Sequence, residues 1–221
     1  MPDKILTDLR PGKGQKVNLY LDEKFFCSLE LAQVVDLKLH VGDKIDPKKA
    51  NSIKQAASFS RLYLMTLNFV LFRPRSEKEL RDYLNLKTKT RTLRKRNAQT
   101  GVWQSFQKAG FKVATTNLVF ERIKARGYID DTRFAKIWLE NRAAKKGISK
   151  KKLILELRQK GIREETIQAA LEASGRDDKT ELRKLIQKKA KRYQNDALKL
   201  KQYLFRQGFN YDDINAVLNE E

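Results

Sequence analysis

Few residues in this chain could do chemistry. One histidine, His40, and one cysteine, Cys27, occur among 221 residues. A Ser-His-Asp or Cys-His centre would have to use His40, which follows Leu37 and Leu39 in a short apolar segment and reads as a structural histidine. One histidine and one cysteine cannot build the usual zinc sites. Pro11-Gly12-Lys13-Gly14 has glycines but neither the spacing nor the Lys-Ser/Thr ending of a phosphate loop. Carboxylates remain. The pairs Asp130-Asp131, Asp177-Asp178 and Asp212-Asp213 have the chemistry for metal-assisted hydrolysis. Each pair, however, stands where a helix is expected to begin, and carboxylates there cap amides and complement the helix dipole. No catalytic residue, cofactor or metal is assigned.

The charge is informative. With 48 Lys and Arg against 27 Asp and Glu, the net charge is +21 and the isoelectric point about 10.0. Such a balance calls for a polyanionic partner: nucleic acid first, an acidic protein surface or anionic membrane otherwise. The longest strongly apolar stretch, Leu62 to Phe72, falls short of the ~20 residues that span a bilayer. The N-terminus lacks the apolar core of a signal peptide, and the lone Cys27 cannot form an internal disulfide. A cytoplasmic protein without a membrane partner is expected.

These charges need elements to position them. Residues 1–45 read as a small β extension. Val17, Leu19 and Leu21 alternate, Asp22-Glu23-Lys24 turns, and Phe25 to Leu29 returns as the second strand of a hairpin. Leu37 to Ile45 reads as another short strand or turn. A two-stranded hairpin is barely stable alone, so this piece should pack on a helix. Asp46-Pro47 opens that helix, which runs to Phe72 with Phe59, Leu62, Tyr63, Thr66, Phe69 and Val70 on one face. Ser76 to Leu86 begins the next helix with the capping-box spacing of Ser76 and Glu79.

The remainder of the chain is repetitive. Ala109-Gly110-Phe111, Lys160-Gly161-Ile162 and Gln207-Gly208-Phe209 recur at intervals of 51 and 47 residues. Each glycine is expected to stop a helix in the left-handed conformation. A shorter helix should come after each one: Thr116 to Ala125, Glu164 to Ala173 and Tyr211 to Leu218. A period near 50 with three helices per unit is a helical repeat, in which neighbours stack to close a core. The expected fold is mainly α: tandem three-helix repeats in an elongated curved array over 46–129, 130–175 and 176–221. The first repeat carries a basic insert at 87–109. Lys87, Lys89 and Arg91 alternate there with threonines, then Arg94-Lys95-Arg96, a turn at Asn97 to Gly101, and Val102-Trp103-Gln104-Ser105-Phe106. A β-hairpin arm, a mobile basic loop and an extension of the flanking helices are all compatible with that pattern.

Two surfaces stand out for polyanion binding. One is the insert, with Lys87, Lys89, Arg91, Arg94, Lys95 and Arg96 followed by Trp103, in a tract from Tyr83 to Phe120 without a carboxylate. The other is the second repeat, with Arg142, Lys145, Lys146, Lys150, Lys151, Lys152 and Arg158. Counterion release would make their affinity for DNA weak, sequence-indifferent and salt-dependent.

The segment from Gly127-Tyr128-Ile129-Asp130-Asp131 through Phe134-Ala135, Trp138 and Asn141-Arg142 closely resembles the hallmark of RecX proteins. The likeness extends to Lys160-Gly161-Ile162 and, upstream, to Arg73 through Leu80. Gly127, Tyr128, Asp130, Asp131, Phe134, Ala135, Trp138 and Gly161 read as structural members of it, with Tyr128 packing to lock the glycine corner. The resemblance implies a tandem three-helix fold. It also implies a regulatory, non-enzymatic protein that binds within the groove of the RecA–DNA filament and inhibits RecA ATP hydrolysis, strand exchange and recombination; a monomer is expected. The alternative is a basic module acting directly on single- or double-stranded DNA.

Overall fold

The computed structural model describes residues 3–143, 147–193 and 196–219. The chain forms two compact units, one of residues 1–72 with 81–128 and one of 73–80 with 129–221.

In the first unit, strands β1 (Lys4–Pro11), β2 (Lys16–Leu21), β3 (Lys24–Glu30) and β4 (Lys44–Ile45) form one antiparallel sheet in the order β3-β2-β1-β4. The β2–β3 turn is the expected one. Asp22 and Glu23 both take positive φ, 48° and 65°, as a two-residue hairpin loop demands. The extension is nevertheless larger than a hairpin. β1 joins it, and Leu37 to Ile45 is mostly turn, with only Lys44–Ile45 extended. A short helix α1 (Leu31–Asp36) comes directly after β3. Leu6, Leu19, Leu21, Leu29, Val34, Leu39 and Ile45 make a core with Ile53 of α2 (Pro47–Phe72), so the sheet does pack on that helix. Asp46 caps α2 by accepting the Lys49 amide at 2.6 Å.

Within the same unit α2 packs on α4 (Val113–Ala125) and binds α3 (Glu77–Thr88) through a Phe69–Tyr83 stack and the Tyr83 hydroxyl on the Met65 carbonyl. The insert is a β-hairpin. β5 (Arg91–Arg96) pairs antiparallel with β6 (Trp103–Lys108), while Lys87 and Thr88 end α3. Two expectations change here. α4 begins at Val113 rather than Thr116, and Gly110 neither follows a helix nor takes positive φ. It follows β6, and it is glycine because a Cβ would overlap the Thr88 carbonyl.

The second unit holds α5 (Asp131–Ala143), α6 (Lys150–Gln159), α7 (Glu164–Ala173), α8 (Asp178–Lys189), a 3-10 turn (Ala190–Arg192), α9 (Ala197–Arg206) and α10 (Tyr211–Asn219). Each trio has its own core. Phe134, Leu139, Leu153, Leu157, Ile162 and Ile167 fill the first; Leu182, Leu185, Leu204, Phe209, Ile214 and Val217 fill the second. Gly161 and Gly208 stop α6 and α9 as expected, at φ of 79° and 92°. In both corners the glycine amide bonds back three residues and the next amide five, and that next residue, Ile162 or Phe209, is buried.

Candidate interaction surfaces

From Ile129 onward the hallmark segment is built into the second unit. Asp130 caps α5, its Oδ1 accepting the amides of Thr132 and Arg133 at 2.8 and 3.0 Å. Its neighbour Asp131 turns elsewhere, accepting the Glu77 amide at 2.8 Å. Asp177 and Asp178 repeat the division. Asp177 accepts the Thr180 amide of its own helix, whereas Asp178 accepts the Lys150 amide at the start of α6. Their environments push the two carboxyls apart. The Thr180 amide and hydroxyl hold Asp177 below the usual carboxylate range, and burial pushes Asp178 above it.

A second contact is likewise used twice. Ser76 accepts the Glu79 amide and donates to the Lys160 carbonyl at 2.7 Å; Ser149 accepts the Lys152 amide and donates to the Gln207 carbonyl at 3.0 Å. Each serine thus caps its helix and ties it to the corner carrying Gly161 or Gly208. A Cβ on Gly161 would stand 2.7 Å from Lys78 Cβ, and one on Gly208 would overlap Ser149 Oγ. The capping-box spacing at Ser76 is therefore half used. Glu79 does not reach back to Ser76; it takes both guanidinium nitrogens of Arg73 at 3.1 Å and the Lys160 ammonium at 2.7 Å.

Phe134 and Ala135 are buried. Trp138 stacks on Phe134, donates its indole N–H to Glu156 at 3.0 Å, and lies beneath Arg142 and Lys160. Arg142 donates to the same Glu156 at 2.9 Å. Its charge is thereby matched inside the unit. Arg158 is exposed and paired with Glu164, and Lys152 bonds Gln207. Lys150 and Lys151 are exposed on the first turn of α6; Lys145 and Lys146 lie outside the described residues. Gly127 ends α4 with φ of 70°, but Tyr128 is more than a third exposed and does little to lock that corner. The roles of Glu79, Glu156 and Lys160 were not visible in sequence, since nothing local marks which cation a carboxylate will meet.

The arm has a different character. Paired residues share a face, so one side carries Arg91, Lys108, Leu93, Phe106 and Lys95, and the other Arg94, Arg96 and Trp103. Leu93 is half-buried, every other residue of the two strands is exposed, and Trp103 is 64% exposed. Lys89 is exposed just before the hairpin. Lys87 at its base lies over the Tyr83 ring, and burial with the neighbouring charges of Arg91 and Lys108 lowers its pKa. Lys108 completes this cation cluster and escaped notice in sequence because eleven residues separate it from Arg96.

Among the described residues no group of three His, Cys, Asp or Glu could hold a metal, and no helix is long and apolar enough to cross a membrane. Burial pushes the Cys27 thiol up to about 11, away from nucleophilic use.

Residues 130–171 match the family model described as the second three-helix domain of RecX, and 177–218 the third. Over these two stretches the chain is similar to RecX proteins. Regulatory protein RecX of Bacillus licheniformis is 26% identical to it over all of this chain and 78% of its own length. Regulatory protein RecX of Bacillus velezensis is 26% identical over all of both chains, and that of Clostridium tetani 24% over 96% and 91%. Two crystal structures share the fold. One of regulatory protein RecX superposes with a TM-score of 0.68 at 18% identity, over 98% of this chain and 99% of the other. RecX from Lactobacillus salivarius gives 0.53 at 22%, over 74% and 96%. The three-helix repeats and N-terminal sheet are thus a RecX architecture.

Proposed function

We propose that this chain is a cytoplasmic regulator that binds the filament formed by RecA on DNA and slows its ATP hydrolysis, strand exchange and recombination. It needs no cofactor and catalyses nothing itself. The observation that carries this reading is the RecX hallmark from Asp130 to Arg142, built into the repeat core with Arg142 paired to Glu156. The hallmark acts as scaffold. Contact with the filament falls to exposed cations: Lys89, Arg91, Arg94, Lys95 and Arg96 on the arm, and Lys150 and Lys151 on α6. The test is RecA ATP hydrolysis on single-stranded DNA with increasing amounts of this protein. Substoichiometric protein is expected to slow it; an unchanged rate over a wide range of concentration would remove the filament from this account.

A second reading, direct DNA binding by the arm, is favoured by one feature. The hairpin exposes Trp103 and Phe106 among cations in a stretch without any acid, which suits phosphate and base contacts.

A further inference from the structure

Two cavities of the first unit run together along one side of α2. The larger, about 560 Å³, has Lys16, Phe25, Phe26 and Ser28 from the sheet on one wall and Lys54 and Arg61 of α2 on the other. The smaller, about 310 Å³, continues past Lys54 and Arg61 to Lys108 and Lys112. Lys54, Ser58, Arg61 and Phe111 line both, so the two form one groove. Spacings of four and three residues bring Lys54, Ser58 and Arg61 to one face of the helix.

The groove is basic and aromatic by turns. Lys16, Lys54, Arg61, Lys108 and Lys112 are all exposed, and none of the five has an ion-pair partner among the described residues. Among the described residues that line it the only carboxylate is Glu30, which is engaged in capping α1. Three rings alternate with the cations. Lys54 lies over Phe26 at 4.9 Å, Arg61 over Phe111 at 5.8 Å, and Phe25 is 59% exposed. Phe111 is held in position. Its amide donates to the Lys87 carbonyl at 2.9 Å, and the preceding Gly110 lies so close to Thr88 that no side chain would fit.

From this geometry we infer that the groove along α2 binds a short stretch of single-stranded nucleic acid, its phosphates on Lys54, Arg61, Lys108 and Lys112 and its bases against Phe25 and Phe111. Cations alone would accept any polyanion. The exposed ring of Phe25 and the half-buried ring of Phe111 between them select a strand whose base faces are free, because a duplex keeps those faces stacked inside and an acidic peptide has none. The groove is lined by residues of the first unit, none of them from the hallmark, and no filament takes part in it.

The test is the fluorescence anisotropy of a labelled oligo-dT of about 15 nucleotides with the full chain, titrated with salt and without RecA. A double substitution, Lys54→Gln with Arg61→Gln, is expected to weaken binding at low salt by about tenfold or more. It should also reduce the slope of log affinity against log salt by about 1.4, since each phosphate contact on a single strand contributes about 0.7. Phe25→Ala should weaken binding about fivefold or more with the slope unchanged, through lost stacking. Because Phe25 is exposed, this variant keeps its fold, which circular dichroism verifies. The inference is overturned if the parent does not bind oligo-dT, or if both variants bind like the parent. It is also overturned if Phe25→Ala costs nothing while a duplex or an oligo-glutamate of equal length competes as well as oligo-dT. Any of these leaves the filament reading intact, because RecA is absent.

Discussion

Gly161 and Gly208 occupy equivalent positions in one corner that the chain uses twice. Each must take positive φ, and each lets a capping serine approach the backbone beside it. A methyl at Gly208 would meet both demands badly, because it strains the backbone and overlaps Ser149 Oγ. Gly208→Ala is expected to lower stability by about 2–4 kcal/mol, combining a left-handed alanine with overpacking. Gly175 is the control. Its φ is 57° but nothing lies within 4 Å, so Gly175→Ala should cost only about 1 kcal/mol. Urea unfolding of the two variants separates backbone strain from the serine tie, and equal losses would mean that the tie contributes nothing. The glycine corners were legible in sequence because helix stops demand glycine. The ties from Ser76 and Ser149 were not, because their carbonyl partners lie 84 and 58 residues away.

At the scale of elements, the arm and the N-terminal sheet behave differently. The sheet closes a core against α2, whereas the arm has no core: in its two strands only Leu93 is even half-buried. A lone two-stranded hairpin is marginal in water and adds little to global stability. Replacing residues 90–107 by a short Gly/Ser link should therefore leave the thermal midpoint within about 2 °C of the parent. Thr88 and Gly110 already lie side by side, so a link closes without strain. Binding to the RecA–DNA filament should weaken, and filament pelleting with thermal unfolding reads both outcomes. Unchanged binding in a well-folded variant would make the arm a passenger. The period-two threonines and the turn at Asn97 to Gly101 made a hairpin readable. β1 was harder, because a bulge between Leu6 and Asp8 breaks the alternation that identifies a strand.

For the whole molecule, a charge of +21 makes the few well-placed carboxylates count. Burial raises the pKa of Glu79 and of Glu181, yet hydrogen bonds outweigh it and both end below the usual range. Glu79 is held down by Arg73 and Lys160, and Glu181 by the Gly147 amide, Lys184 and Arg176. A carboxyl lowered in the folded state contributes stability that is present above its unfolded value, near 4.5, and is lost as pH falls through the lowered value. Asp178, raised by burial, runs the other way and offsets part of the loss. Stability should therefore be level near neutral pH and fall below about pH 4.5. Glu79→Gln should lower the neutral plateau and make the acid limb shallower. Denaturation midpoints from pH 7 to 3 measure this, and an acid limb unaltered in the variant would show that Glu79 is not among its causes.

The sequence by itself determined the repeat, the helix starts at paired aspartates, the glycine corners, the basic character and the family hallmark. All of these are local. Caps, stops and periodic apolar faces depend on residues within a few positions, and net charge needs no structure at all. Tertiary structure alone decided how the pairs Asp130-Asp131 and Asp177-Asp178 divide their work and which cations are matched. Arg142 reads in sequence like Lys151, yet Glu156 takes its charge while Lys151 stays exposed. It also decided the groove, whose Lys16, Lys54 and Lys112 come from a strand, a helix and a loop. Electrostatic partnership acts through space over a few ångströms, and sequence separation carries almost no information about that distance.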